Sequence, residues 1–295
     1  MHLVKTMSPL LLSLSLGVSA TSAWAAPETP SGNSVEVQLI RNATVKIDFD
    51  GTTFLVDPML APKSAWPGFE GTYRSELRNP LVGLPFSVND VLNNVEAVIV
   101  THTHTDHWDD AAQKQIPKNL PVFVQNETDA KTIRDQGFKD VRVLNDSTTF
   151  NGVTMKKTGG QHGSDLLYAN AAFAESLGSV MGVVFSAPEF KTVYLAGDTV
   201  WRPEVSEVLE QDKPDMVILN TGSALMTGFE EHPIIMGKQD TRQAYDAAPQ
   251  AAIVAVHMDA VNHMSLSRKE LNEFVKEQKI EDRVLVPEDG ESIKF

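Results

Sequence analysis

The chain has 295 residues, 42% of them hydrophobic and 22% charged, which suits a soluble globular protein with a sizeable core. Its formal charge of −14 argues against nucleic acid or an anionic membrane surface as a partner, since both call for basic patches. It leaves room for an anionic substrate met by a local cation, and with no cysteine in the chain any metal must be held by histidine and carboxylate.

In chain order, Lys5 is the only formally charged residue before Ala25, Met7 to Val18 is apolar, and Ala23-Trp24-Ala25 has the small-x-small form of a cleavage site. Residues 1–25 therefore read as a secretory signal peptide, too short and wrongly flanked to span a membrane. This predicts a periplasmic or secreted protein with no membrane span after cleavage. Residues 26–34 form a polar lead-in, and 35–295 read as a single domain.

Val35 to Asp57 predicts strands: Val45, Ile47 and Phe49 alternate with Lys46 and Asp48, and Asp50-Gly51 is a hairpin signal. Pro58 to Asn89 is a long loop carrying five prolines and several aromatics, and loops of that length are usually functional. Strand Ala97 to Val100 leads into a histidine cluster, with a short helix near Asp109. Strand Val122–Val124, a helix from about Asp129 to Gln136, strand Val141–Leu144 and a hairpin at Asn151-Gly152 follow. Strands Val180–Phe185 and Thr192–Leu195, a helix over Glu204–Gln211, and strands Met216–Leu219 and Ala252–Val256 come next. The last helix begins at the capping box Ser267-x-x-Glu270 and carries the stripe Leu271, Phe274, Val275. The pattern is mixed α/β with hairpins as well as βα units.

The chemistry concentrates in Thr101-His-Thr-His-Thr-Asp-His-Trp108, at the end of an apolar strand. His102 and His104 alternate, so an extended backbone turns both to one side, and a turn then presents Asp106 and His107. One ion cannot easily use four ligands from six residues in good geometry, whereas two ions can.

H-x-H-x-D-H after a buried strand resembles the metallo-β-lactamase superfamily. Further elements agree in order: Asp57 in Leu-Val-Asp-Pro, His162 in Gly-Gly-Gln-His-Gly, Asp198 in Ala-Gly-Asp-Thr, and His257 after an apolar strand. The resemblance runs from about Val35 to the C-terminus. It implies a four-layer αββα sandwich of the α/β (α+β) class and a dinuclear metal-dependent hydrolase. His102, His104 and His162 would hold the first ion and Asp106, His107 and His257 the second. Asp198 would bridge them, and Asp57 would orient a ligand imidazole. His263 is the rival to His257 as last ligand, or else contacts substrate or supports a ligand. Asp106 and Asp198 are the candidate catalytic carboxylates, Asp106 as proton carrier. Trp108 braces the motif or faces substrate, with the brace preferred. Zinc suits this donor set first, and manganese fits it too.

Histidine at 104, where diiron relatives typically carry glutamate, points to hydrolysis rather than redox chemistry. The motifs resemble the branch containing ascorbate-phosphate lactonase, which suggests a small ester, lactone or phosphoester substrate. Phospholipase D-type phosphodiesterases and β-lactamases are the alternatives, along with a non-catalytic periplasmic metal-binding protein. The pocket walls are expected from Pro58–Asn89, Ser164–Ser179 and Gly222–Gly237. Trp66, Tyr73 and Trp201 are candidates to enclose substrate there, and Lys63, Arg74, Arg78 and Arg202 to meet an anion.

Overall fold

The computed structural model describes residues 34–295. The segment expected to be a signal peptide, and all but the last residue of the polar lead-in, lie outside the described residues. The first sheet starts as an antiparallel meander of β1 (Glu36–Arg41), β2 (Thr44–Phe49) and β3 (Thr52–Val56). Asp50 and Gly51 make the β2–β3 turn with φ of 52° and 71°, the left-handed pair that a tight two-residue hairpin requires. After α1 (Val88–Leu92), strand β4 (Ala97–Val100) adds parallel to β3. Helix α2 (Asp110–Gln115), β5 (Val122–Val124), α3 (Glu127–Asp135) and β6 (Val141–Val143) continue the parallel half.

The second half repeats the plan. The antiparallel strands β7 (Thr148–Phe150), β8 (Val153–Thr158) and β9 (Gly182–Ser186) are interrupted by α4 (Asp165–Tyr168) and α5 (Ala171–Leu177). Strand β10 (Val193–Leu195) pairs antiparallel with β9. Then α6 (Pro203–Gln211), β11 (Met216–Asn220), α7 (Lys238–Ala247), β12 (Ala252–Val256), α8 (Arg268–Gln278) and β13 (Val284–Leu285) build the parallel half. Strand β14 (Ser292–Lys294) pairs with β1, giving two seven-stranded sheets.

Strand alternation decides which side chains meet. Ile99 faces the other sheet, joining Ile47, Phe54, Phe123, Val183, Phe185, Ile218 and Val254 in the core between the sheets. Its neighbours Val98 and Val100 face outward onto Ala112, Ala130 and Ile133 of α2 and α3. Val217, Leu219, Ile253 and Ala255 likewise cover themselves with α6, α7 and α8. The parallel strands β4, β11 and β12 are therefore buried on both faces, which is why they read as apolar runs. Helix, sheet, sheet and helix are the four layers of the expected αββα sandwich.

Local differences from the expected elements have local causes. Helix α3 begins at Glu127 rather than near Asp129 because the Asn126 side chain accepts from the Asp129 N–H at 2.9 Å and caps it. The long loop ends earlier than Asn89, where Ser87 caps α1. Helices α4, α5 and α7 were not expected: α4 and α5 are only 4 and 7 residues long, and α7 buries only Thr241 and Ala244.

Candidate metal centre

The parallel strands of both sheets point their C-terminal ends to one edge, where an open α/β sheet binds ligands. Asp57 follows β3, the histidine motif follows β4, Asp198 follows β10, and His257 follows β12. His162 arrives on the loop after β8. The chain turns sharply to deliver them: Asp57 and His257 hold φ of 46° and 66°, left-handed values uncommon for residues with a side chain. Gly197, at φ 72°, precedes Asp198, and a Cβ there would collide with the Met181 carbonyl oxygen. Glycine at 197 is thus needed for both its backbone conformation and the close approach of the chains.

Three groups of donor atoms form: His102, His104 and His162; His102, His107 and Asp198; and Asp106, His107 and His257. All of these are buried except His104, which is half-buried. Asp198 Oδ2 lies 3.0 Å from His107 Nε2, 3.4 Å from His257 Nε2 and 3.6 Å from His162 Nε2, so it sits between the two histidine sets. Asp106 Oδ2 is 3.5 Å from His257 Nε2 and 3.7 Å from His107 Nε2. His257, and not His263, belongs to the groups.

Hydrogen bonds at the rim set the tautomers. His162 Nδ1–H donates to the Ile234 carbonyl at 2.9 Å, and His104 Nε2–H donates to the Ser176 carbonyl at 3.0 Å. His107 Nδ1–H donates to Asp57 Oδ2 at 2.9 Å. Thr101 Oγ1–H donates to the same oxygen at 2.7 Å and accepts from His102 Nδ1–H at 3.2 Å, while the Thr101 backbone N–H donates to Asp57 Oδ1 at 2.7 Å. These partners leave the inward nitrogens of His102, His104, His107 and His162 with lone pairs, while His257 Nδ1 is buried without a partner among the described residues. His102 Nε2 then faces His104 Nδ1 at 3.0 Å, and His107 Nε2 faces His257 Nε2 at 3.1 Å. Lone pairs that close repel unless a cation or a proton lies among them, so the donor set fits divalent metal.

The electrostatics of these side chains agree. Burial pushes the His107 imidazole down, but Asp198, Asp106 and Asp57 together outweigh it and hold the ring protonated well above its usual range. Burial likewise pushes Asp198 up, yet His107 and His257 carry it well below the carboxylate range. Burial takes His162 down to about 4, and burial with its neighbours His107 and His104 takes His102 well below its ordinary value. A positive charge is thus demanded at the carboxylates and refused at the outer histidines, and a proton on His107 supplies it when no metal does.

The three expected walls come together over the centre. A cavity of about 320 Å³ is lined by Phe69, Glu70 and Thr72 from the long loop, Ser176 and Leu177 from the end of α5, Met226 and Ile234, together with His104, Asp106, His162 and His263. Trp66, Tyr73 and Trp201 are not among its lining residues, nor are Lys63, Arg74, Arg78 or Arg202. Arg74 instead donates to the carbonyls of Asn262 and Met264, and Arg202 pairs with Asp165 at 2.7 Å. Trp108 is 2% exposed, donates from Nε1 to Gln136 Oε1 at 2.8 Å and packs on Phe138, so it braces the motif from behind. Trp201 and His232 line a separate cavity.

Residues that sequence reasoning passed over complete the centre. Asn220 Nδ2–H donates to Asp198 Oδ1 at 2.6 Å, leaving Oδ2 for the interior. Asn42 Nδ2–H donates to the Asp106 carbonyl at 3.1 Å, and its own carbonyl accepts from the His257 N–H at 2.9 Å. A polar residue closing an apolar strand was the available signal for Asn220; nothing local marked Asn42.

The family model described as the β-lactamase superfamily domain matches residues 52–258, from the start of β3 to just past His257. The chain belongs to the β-lactamase superfamily. Within it, the chain is 44% identical over 261 residues to the UPF0173 protein YddR of Bacillus subtilis, covering 88% of this chain and all of that one. It is 24% identical over 218 residues to a UPF0173 metal-dependent hydrolase of Methanocaldococcus jannaschii, covering 74% of this chain and 90% of that one. Among solved structures it resembles a possible metal-dependent hydrolase from Veillonella parvula, with a TM-score of 0.86 and 52% identity over 88% of this chain and 98% of that one. It also resembles an isothiocyanate hydrolase from Delia radicum gut bacteria, with a TM-score of 0.85 and 50% identity over 88% of this chain and 99% of that one. The protein is a metal-dependent hydrolase of this superfamily. The expected periplasmic or secreted location is corrected: YddR, which aligns over its whole length, is not described as periplasmic, and the segment that suggested export lies outside the described residues. Among the described residues, no helix is long and apolar enough to cross a membrane.

Proposed function

We propose that the protein uses two divalent cations to hydrolyse a small neutral electrophile, and that this electrophile is an organic isothiocyanate. The observation that carries the reading is the cavity wall: Phe69, Leu177, Met226 and Ile234 are apolar, Glu70 and Asp106 are its carboxylic residues, and among the described residues no lysine or arginine lines it. Such a wall suits a neutral molecule with an apolar tail better than a phosphodiester or the carboxylate of a β-lactam, each of which calls for a cationic side chain. The reading is supported by the 50%-identical solved neighbour, itself an isothiocyanate hydrolase.

His102, His104 and His162 would hold one cation, Asp106, His107 and His257 the other, with Asp198 between them. Zinc suits this nitrogen and oxygen donor set, and manganese fits it as well. Asp57, Asp106 and Asp198 carry more negative charge than one dication offsets and less than two; two dications and one hydroxide bring the site to neutrality. Cations bound there would lower the pKa of water toward neutrality and so make hydroxide available. The protein's own contribution is placement. Asp57 holds His107, Asn220 fixes one oxygen of Asp198, and the carbonyls of Ile234 and Ser176 lock His162 and His104. The apolar wall would exclude bulk water and seat the tail so that the electrophilic carbon lies near Asp106, whose carboxylate would carry the proton of the attacking water. The products from R–N=C=S and water are the amine R–NH2 and carbonyl sulfide.

The test loads metal-free protein with zinc or manganese and follows benzylamine and carbonyl sulfide released from benzyl isothiocyanate, alongside a γ-lactone, bis-p-nitrophenyl phosphate and a chromogenic β-lactam. Chelator-sensitive turnover of the isothiocyanate above the others supports the reading. Turnover confined to the phosphodiester or the β-lactam refutes it.

A further inference from the structure

His263 lines the cavity, is only 6% exposed and belongs to none of the three donor groups. Its Nδ1 is buried and has no hydrogen-bond partner among the described residues. A buried polar atom without a partner is unfavourable and rare, so the ring sits in the cavity wall at a cost that packing alone does not explain.

The ring is held firmly. It stands edge-on against Phe69, with centroids 4.9 Å apart and planes at 86°. Its own carbonyl accepts from the Leu225 N–H at 3.0 Å. The preceding residue, Asn262, is a hub: its Oδ1 accepts from the Phe69 N–H and from Asn79 Nδ2–H, and its Nδ2–H donates to Thr72 Oγ1 and to the Tyr73 carbonyl. The same residue thus ties His263 to the loop that supplies the apolar wall. A group held in place before the ligand arrives costs nothing to reorganise during reaction.

We propose that His263 is a catalytic residue, whose ring N–H donates a hydrogen bond to the nitrogen of the bound isothiocyanate as negative charge develops there. This rests on the isothiocyanate reading above. Nitrogen is the end involved because it carries the apolar group, and that group lies along the wall containing Phe69, the residue His263 packs against. In the addition, the water oxygen bonds to the central carbon and one C–N π pair moves onto nitrogen. The nitrogen then takes one proton of the added water, giving the thiocarbamic acid R–NH–C(=S)–OH, whose O–H proton moves to sulfur in the tautomer R–NH–C(=O)–SH. Cleavage of its C–N bond, with the S–H proton passing to nitrogen, yields R–NH2 and carbonyl sulfide. Atoms and electrons balance with water alone, and His263 keeps its own proton throughout.

The experiment compares wild type, His263→Ala and His263→Gln, each loaded with zinc. Metal content is measured by mass spectrometry, kcat and KM on benzyl isothiocyanate, and the Kd of N-benzylthiourea, a stable mimic of the water adduct, by calorimetry. The expected result is wild-type metal content in both variants, a kcat lowered about 100-fold in His263→Ala, a Kd raised about tenfold, and partial recovery in His263→Gln, whose amide retains a donor. No turnover of isothiocyanate by wild type overturns the substrate reading and this inference with it. Turnover by wild type that His263→Ala leaves within about twofold overturns the inference alone. Loss of metal in both variants also overturns it, by making His263 a support of the metal centre.

Discussion

Asp57 shows how much of the centre depends on a residue that need touch no metal. It is 1% exposed, and its two oxygens accept from the Thr101 N–H, the Thr101 hydroxyl and His107 Nδ1–H, at 2.7, 2.7 and 2.9 Å. Asp57→Asn keeps the size but replaces one acceptor by an NH2 group. If that group faces His107, two donors meet and the imidazole must swing or change tautomer. If it faces the Thr101 N–H instead, the backbone donor at the head of the motif loses its acceptor. In both orientations the negative charge behind His107 is gone. Losing such an outer partner typically weakens metal binding 10- to 100-fold, or about 1.4–2.8 kcal/mol. The loss should fall on the ion held by Asp106, His107 and His257, leaving the His102, His104 and His162 set near wild type. Competition titration with a chromophoric chelator, resolved into tight and weak equivalents, measures this. Unchanged affinity for both equivalents in a folded Asp57→Asn protein would refute the orienting role.

Three further outcomes are expected. Asp198→Ala should bind at most one equivalent of metal and lose turnover, as metal analysis and the isothiocyanate assay would show; two equivalents and wild-type kcat would remove Asp198 from its bridging place. Stripping metal should lower the melting temperature, because a ligand at 100 times its Kd stabilises by about 2.7 kcal/mol, or about 5–10 °C for a chain of this size. In the metal-free protein, burial holds His162 at about 4 against an ordinary 6.5, so the unfolded chain binds a proton that the folded one refuses between those values. That part of the stability is complete above about pH 6.5 and is lost as pH falls toward about 4, so His162→Gln should flatten the acid limb of denaturant midpoint against pH. An unchanged limb would place the titration elsewhere.

Much of this was legible in the sequence because the signals were local. Strand β4 was bounded by its own apolar run, and the turn at Asp50-Gly51 by two residues tolerant of left-handed backbone. The histidine spacing after β4 pointed to two sets of ligands; the donor atoms gather as His102 with His104, as Asp106 with His107, and also as His102 with His107 and Asp198. Short helices such as α5 stayed hidden, since few of their residues are buried and tertiary contacts rather than periodicity hold them. The aromatic residues divided: Trp108, read as a brace, is buried, while Trp66, Tyr73 and Trp201, read as candidates to enclose substrate, are not among the residues lining the cavity.

The sequence by itself determined the chemistry on offer: a metal centre built only from histidine and carboxylate, on a chain of alternating strands and helices with no cysteine. The tertiary structure decided what depends on distance across the chain. It brought Asp198, 91 residues beyond His107, to 3.0 Å from it, and it set His257 within a donor group and His263 in the cavity wall. Residue type fixes which atoms can bind a cation, but only the packing of two sheets fixes which of them share one and which are left facing the substrate.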